Sequence, residues 1–379
     1  MKRYAMNVTL NDTAPWARGS VHLPLVAYLA PPAYGVIFLV GFVGNSLVIY
    51  VVARFAEMRN VTNYFIMNLA VTDLAFLVFC VPFTAASYIL PSWVFGLSMC
   101  KFVNYMMQVT TQATCLTLTI LSIDRYCAIV HPIGSLGFRK RRIAIVLNIC
   151  TWIASFILAL PMVMYYKLVP IAWFGIRTYC RPVWPSPTFE QGYMIYTVLI
   201  TYFIPLVVCA VMCGFILKRL WNRFKTSETR PRNHTLQTRR ISFMVIGVVV
   251  LFSLCWLPNH ALNLWRMVNI RNKVTKTVYY LKIIALFLSY ANSAINPFVY
   301  TFVGENFRNC LRQMCQRTKD FNLTQKTKVT SKQSYNTTTL TAASKISVRG
   351  SSSSRSTGVS KGSVKQVSSN KWDILEVEE

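Results

Sequence analysis

With 379 residues of which 54% are hydrophobic and only 14% charged, the chain is too apolar for an ordinary water-soluble fold of its length. Its formal charge of +28 invites a nucleic-acid partner, but the basic residues lie mostly between and after long apolar runs, where membrane topology and anionic headgroups account for them, so none is expected. Neither His-Glu-x-x-His nor Gly-x-Ser-x-Gly occurs, and the histidines are scattered at His22, His131, His234 and His260, which leaves no signature of a membrane enzyme.

Residues 1–28 are polar, with glycosylation sequons at Asn7 and Asn11. They hold no compact apolar run with a cleavage site, so the first helix is expected to direct insertion itself. From 29 to 303 the apolar residues bunch into seven stretches, each long enough for the roughly 20 residues that a helix needs to cross a bilayer. These are Tyr34–Ala53, Tyr64–Leu90, Phe102–Ile123, Ile143–Tyr166, Gln191–Leu217, Ile241–Trp265 and Ile283–Val303, and the one charged residue among them is Asp73. The fold class expected is an all-α membrane protein, a seven-transmembrane helix bundle with a short amphipathic interface helix. A soluble bundle would carry charges on the outer faces of its helices, and a transporter would show repeated halves or several charges along a path.

An odd number of spans places the termini on opposite sides. The loops on one side hold 14 Lys and Arg, and the segment after Gly304 on that side another 13, against 12 on the other face, which include Arg266 and Lys282. The bias puts the amino terminus outside, and the location expected is the plasma membrane. Residues 304–315 place Phe307, Leu311 and Met314 on one helical face with Arg308 and Arg312 off it, which suits a helix lying among membrane lipids, with Cys310 and Cys315 as candidates for palmitoylation. Residues 316–379 are rich in Ser, Thr and Lys and are expected to be a disordered tail open to phosphorylation.

Polar groups inside spans are expensive and point to function. Asp73, Asn45, Thr114, Asn292 and Asn296 fall at comparable depth, a set that can hold a water cluster or a sodium ion, or form a plain hydrogen-bond network. No other metal or cofactor is expected. Cys100 opens the third span at its outer end and Cys180 lies in the second outer loop, where an oxidising compartment favours a bridge between them. The third span ends in Asp124, Arg125, Tyr126, a charge pair able to exchange partners. The sixth carries Trp256 and Pro258 in Cys-Trp-Leu-Pro, and the seventh Asn296, Pro297 and Tyr300 in Asn-Pro-Phe-Val-Tyr, each proline removing a backbone hydrogen bond.

With Gly44 and Asn45 in the first span, Asn68, Leu69, Ala70 and Asp73 in the second, Trp93 before Cys100, Trp152 in the fourth and Pro205 in the fifth, these motifs resemble those of rhodopsin-like (class A) G-protein-coupled receptors. The resemblance implies a ligand site open to the outside, a toggle at Trp256, and an outward swing of the sixth helix that uncovers Arg125 for a heterotrimeric G protein. It also implies arrestin and receptor kinases as partners of the tail.

Within that family the chain is most similar to kisspeptin receptors, through Lys101–Tyr105, Gln108, Val109, Gln112–Cys115, Cys80–Ala85, Met58–Asn63 and Thr178–Cys180. Galanin and allatostatin-A receptors are neighbours and remain the alternative. A kisspeptin-type receptor implies an extracellular neuropeptide ending in an amidated Arg-Phe, and Gq-class coupling to phospholipase C and calcium. A ligand arginine would meet Glu190; the amidated end would bond with Gln108, Asn263 or Tyr290, and its Phe ring would sit by Met107 and Trp256. The chain departs from the pattern at Met107, where a glutamine is expected, at His131 and Pro132, at Cys213, and at Thr238, which stands where some members carry an acid that holds the arginine.

Overall fold

The computed structural model describes residues 25–172, 176–225, 232–268 and 275–316. Asn7 and Asn11 and the tail from 317 onward lie outside these.

Seven helices are long and apolar enough to cross a membrane: Leu25–Arg54, Val61–Ile89, Gly96–Val130, Arg141–Tyr165, Pro187–Asn222, Thr238–Val268 and Lys276–Phe302. The first begins at Leu25, ahead of the boundary at residue 29 read from the sequence, and runs through Pro31 and Pro32 in its opening turns. Several starts are set by side-chain caps that satisfy a free backbone N–H: Asn60 accepts from Asn63 N at 3.0 Å, and Ser186 from Phe189 N at 3.1 Å. Large apolar side chains face outward along the helices, with Leu39, Val43 and Leu254 all more than half exposed, which in water would be a liability and in lipid is the expected surface.

Two apolar clusters fill the bundle. One joins Tyr34, Ile37, Phe76, Leu77, Met106 and Tyr290 of spans one, two, three and seven. The other joins Val48, Leu69, Leu118, Leu121, Val248, Phe252 and Tyr300 at the opposite end. Between spans four and five the chain forms a β-ribbon that the sequence did not lead us to expect. Strand β1, Tyr166–Ala172, pairs antiparallel with β2, Ile176–Pro182, with Leu168 opposite Cys180. The two ends of the bundle are called below the hairpin end and the Arg125 end.

Residues 305–314 are helical and dock back on the bundle, with Cys315 and Gln316 likewise helical. Phe307 and Cys310 are buried in the second cluster and Leu311 and Met314 pack against it. Part of the expected apolar face is thus buried against the bundle, while Leu311 and Met314 stay partly exposed. Cys310, at an offset of three from Phe307, shares that face. It is 1% exposed, and burial pushes its thiol above the ordinary range, whereas Cys315 is exposed and is the more accessible of the two palmitoylation candidates.

Spans one and seven touch closely where Gly44 lies under Pro297: a Cβ on Gly44 would stand 2.9 Å from the proline ring carbons, inside contact distance and against a ring that cannot rotate away. Gly44→Val is expected to destabilise the protein by about 1–3 kcal/mol, read as a lowered Tm of the purified protein. An unchanged Tm would show that the two helices have slack at this point.

Candidate ligand cavity and the Arg125 switch

At the hairpin end, Cys100 and Cys180 form a disulfide with a Cα–Cα distance of 5.6 Å. Further bonds tie β2 to the loop before span three: Thr178 N donates to Ser92 Oγ at 2.8 Å and Trp93 N to Thr178 O at 2.7 Å. Trp93 is held in turn by Nε1 donating to Gly96 O at 2.8 Å, and it stacks edge-on with Phe95. The strand is thus fixed across the start of span three. Beneath it lies a cavity of about 350 Å³, lined by Thr84, Trp93, Met107, Cys180, Leu286 and Tyr290 among others. This size and the mix of aromatic walls with a few polar groups suit a small-molecule or peptide-terminus site.

The expected ligand-contacting residues divide. Met107 and Tyr290 line this cavity together, and Tyr290 shares a 2.6 Å hydrogen bond with Thr84 Oγ1. Gln108 is buried with its Nε2 unpaired, and Trp256 is buried between Phe252 and His260, each ring at 5.9 Å, with Nε1 unpaired; neither lines the cavity. Asn263 does not face it either: its Oδ1 accepts from Lys282 Nζ at 2.7 Å. Glu190 sits in the first turn of span five, half-buried and without an ion-pair partner among the described residues. It is the only carboxylate at the hairpin end among them. Sequence reading missed Lys282, which topology grouped with the loop cations.

Midway along the bundle Asn296 Nδ2 donates to Asp73 Oδ2 at 2.9 Å, and Asn45 Nδ2 bonds both Gly41 O at 2.8 Å and Ser293 O at 2.9 Å. The Oδ1 atoms of Asn45, Asn292 and Asn296 are buried and unpaired. Carbonyl-type oxygens beside a carboxylate are the donor set that a hard cation takes. Thr114 is buried, but among the described residues it makes no hydrogen bond to this group.

At the opposite end, Asp124 is saturated. Its Oδ2 accepts from Arg125 Nη2 at 2.6 Å and Nε at 3.0 Å and from Thr62 Oγ1 at 3.0 Å, while Oδ1 accepts from Arg139 Nε at 2.8 Å. Arg139 was not singled out from the sequence, although it stands in a run of four basic residues, Arg139–Arg142. Tyr126 lies apart, sharing a 3.1 Å hydrogen bond with the His131 ring. A cavity of about 390 Å³ opens here, lined by Arg59, Arg125, Arg139 and Arg141 with Thr62 and Ile241. Four arginines lining one cavity, two of them without a carboxylate partner among the described residues, suit an acidic partner surface.

The foot of span six is held differently from the family expectation. No acid stands at Thr238; instead Arg240 pairs with Glu305 of the short helix. Both side chains are about half exposed, 45% and 51%, so water screens the pair. Tyr300 is buried in the apolar cluster nearby with its hydroxyl unpaired.

Residues 44–300 match the family described as 7 transmembrane receptor (rhodopsin family). G-protein coupled receptor 54 of Oreochromis niloticus is 40% identical over 295 residues, which cover 76% of this chain and 78% of that protein. The KiSS-1 receptor of Mus musculus is 38% identical over 311 residues, 78% of this chain and 77% of its own. Galanin receptor type 1 of Homo sapiens is 38% identical over 299 residues, 76% and 83% respectively.

Proposed function

The chain belongs to the rhodopsin family of seven-transmembrane receptors, and on that premise we propose that it is a neuropeptide receptor of kisspeptin type, with its amino terminus and hairpin end outside the cell. Its ligand is then a peptide ending in an amidated Arg-Phe, and its transducer a Gq-class G protein acting through phospholipase C and calcium. The observation that carries this reading is the cavity under the tethered hairpin, whose walls on spans three and seven continue to Arg125 and to Tyr300 at the other end. The similarity to KiSS-1 receptors and the Lys101–Cys115 run support the peptide class. A galanin-type receptor is the second reading, favoured by a comparable identity and by His131 and Pro132.

The ligand acts only through its preference for one of two arrangements of the bundle. In the arrangement described, Asp124 engages Arg125, and Arg240 anchors span six to Glu305. Moving span six outward breaks the second contact and opens the arginine-lined cavity toward an acidic G-protein surface. Glu190, the one carboxylate of the hairpin end among the described residues and without an ion-pair partner there, is the group that meets a ligand arginine.

Three outcomes test this. Amidated Arg-Phe peptides are expected to mobilise calcium where galanin peptides do not, and Glu190→Gln should lower the potency of the arginine peptide by roughly tenfold while sparing an analogue with citrulline in its place; a response to galanin alone would reverse the ranking. An exposed pair contributes under about 1 kcal/mol, so Glu305→Gln should raise ligand-free signalling about two- to fivefold, and a fall or no change removes the anchor. At Asp73, with Asn45, Asn292 and Asn296 supplying oxygens, a sodium ion would favour the resting arrangement. Replacing N-methylglucamine by sodium is then expected to weaken agonist binding in the natural protein but not in Asp73→Asn, and equal effects in both would dismiss the ion.

A further inference from the structure

Lys282 joins spans six and seven near the cavity mouth. Its ammonium donates to Asn259 Oδ1 at 2.6 Å and to Asn263 Oδ1 at 2.7 Å. Asn259 and Asn263 are one helical turn apart on span six, so both present to the same point. Both are neutral amides. No carboxylate stands within reach in sequence: residues 229–304, which hold both helices and the loop joining them, contain no Asp or Glu. Among the described residues no ion pair reaches Lys282 from Glu190. The neighbouring charges are of its own sign, since Arg266 acts on Lys282 electrostatically, and the next ring inward, His260, is buried with both nitrogens unpaired.

A half-buried ammonium has given up much of its hydration, and two amide dipoles restore part of it. A carboxylate would restore more, and one of the three ammonium N–H groups is still free to reach it. An apolar residue would fill the same interhelical space without this burden, yet three polar side chains converge there to hold one positive charge. The position adjoins the cavity without lining it: Leu286 and Tyr290 are in its wall, and Lys282 precedes them by four and eight residues on span seven, one and two turns nearer the hairpin end.

We propose that Lys282, held by Asn259 and Asn263, is the subsite for a carboxylate on the ligand, an Asp or Glu side chain of the peptide. The proposal rests on the reading of the protein as a peptide receptor and adds to it. The ligand carries an acid for span seven as well as an arginine for Glu190, and the two opposite charges fix its orientation in the cavity. A peptide that is cationic throughout meets Lys282 and Arg266 as repulsive groups, so the subsite acts in selection as well as in affinity.

The test uses a ten-residue peptide ending in Arg-Phe-amide and a galanin peptide, each made as a series in which every residue in turn becomes Asp and, separately, Asn. Potency is read as G-protein dissociation at matched cell-surface levels of receptor. At one ligand position Asp is expected to exceed Asn by roughly tenfold or more. That ratio should fall to about one in Lys282→Gln, and in Lys282→Glu the same position should come to prefer Lys. A tie that is merely structural would change both members of each Asp and Asn pair alike. Equal potency of Asp and Asn at every position, or an Asp advantage that survives in Lys282→Gln, overturns the subsite and leaves the peptide-receptor reading standing. Silence of both parent peptides at natural receptor on the cell surface removes that reading, and the subsite with it.

Discussion

The hydrocarbon core of a bilayer offers no hydrogen-bond partner, and the arrangement of polar groups inside this bundle follows from that. Most hydroxyls take the local solution. Thr72, Thr110, Thr117, Ser122 and Ser155 each donate to the carbonyl four residues back, at 2.6–2.8 Å, and so place their proton within their own helix. Longer or charged side chains cannot be satisfied in this way and must reach across. Asn68 accepts from Trp152 Nε1 at 2.9 Å and donates to Thr117 Oγ1 at 2.8 Å, fixing spans two, three and four to one another. Asn45, Asn296 and Asp124 do the same for the remaining contacts of spans one, two, three and seven. Inter-span polar bonds are few, directional and costly to leave open, which makes them the places where one arrangement of the bundle differs from another.

Span three is the common member. It runs as one helix from Gly96 to Val130, with the disulfide at one end and the Asp124–Arg125 pair at the other. It contains no proline, so its two ends move as one body. Span seven is pinned to span one where Pro297 meets Gly44. Span six has neither restraint: Pro258 interrupts its hydrogen bonding just beyond Trp256, and its foot is tied by a water-screened pair to Glu305. Its remaining ties lie in its outer half, from Tyr202 to Ser253 O, from Ser289 to Cys255 O and from Lys282 to Asn259 and Asn263, so the freedom of span six is at its foot.

The sequence made the spans legible because lipid demands continuous apolar runs, and it made the Cys100–Cys180 bridge legible because topology brought two cysteines to one compartment. The hairpin was hidden. Pro170 stands in the middle of β1, a residue that argues against a strand, and it is tolerated because a two-stranded ribbon leaves one side of each strand unpaired. The short helix after Gly304 shows a different limit: periodicity identified the face bearing Phe307, Leu311 and Met314 but not what that face meets. Packing against the bundle, and with it the burial of Cys310, is a tertiary fact. Lys282 was hidden for the same reason. A lysine near the end of a span reads as a topology signal, and only the fold brings it to Asn259 and Asn263, 23 and 19 residues away in the chain.

Charge is left unbalanced at both ends. At one end Arg59, Arg125, Arg139 and Arg141 line one cavity, and of these only Arg125 and Arg139 meet a carboxylate, that of Asp124. At the other, Lys282 and Arg266 face no acid on their own helices or the loop between them. A soluble protein could leave such charges to water, but here the dielectric falls steeply toward the bundle centre and each uncompensated cation raises the free energy of the empty state. An anion that arrives at either end relieves it. Two partners that each lower the energy of the same helical arrangement are coupled whatever their separation, and each strengthens the other's binding by an equal factor. The route between the two ends then need not be a chain of specific contacts; it is enough that span six contributes Asn259 and Asn263 to the first end and Arg240 and Ile241 to the second.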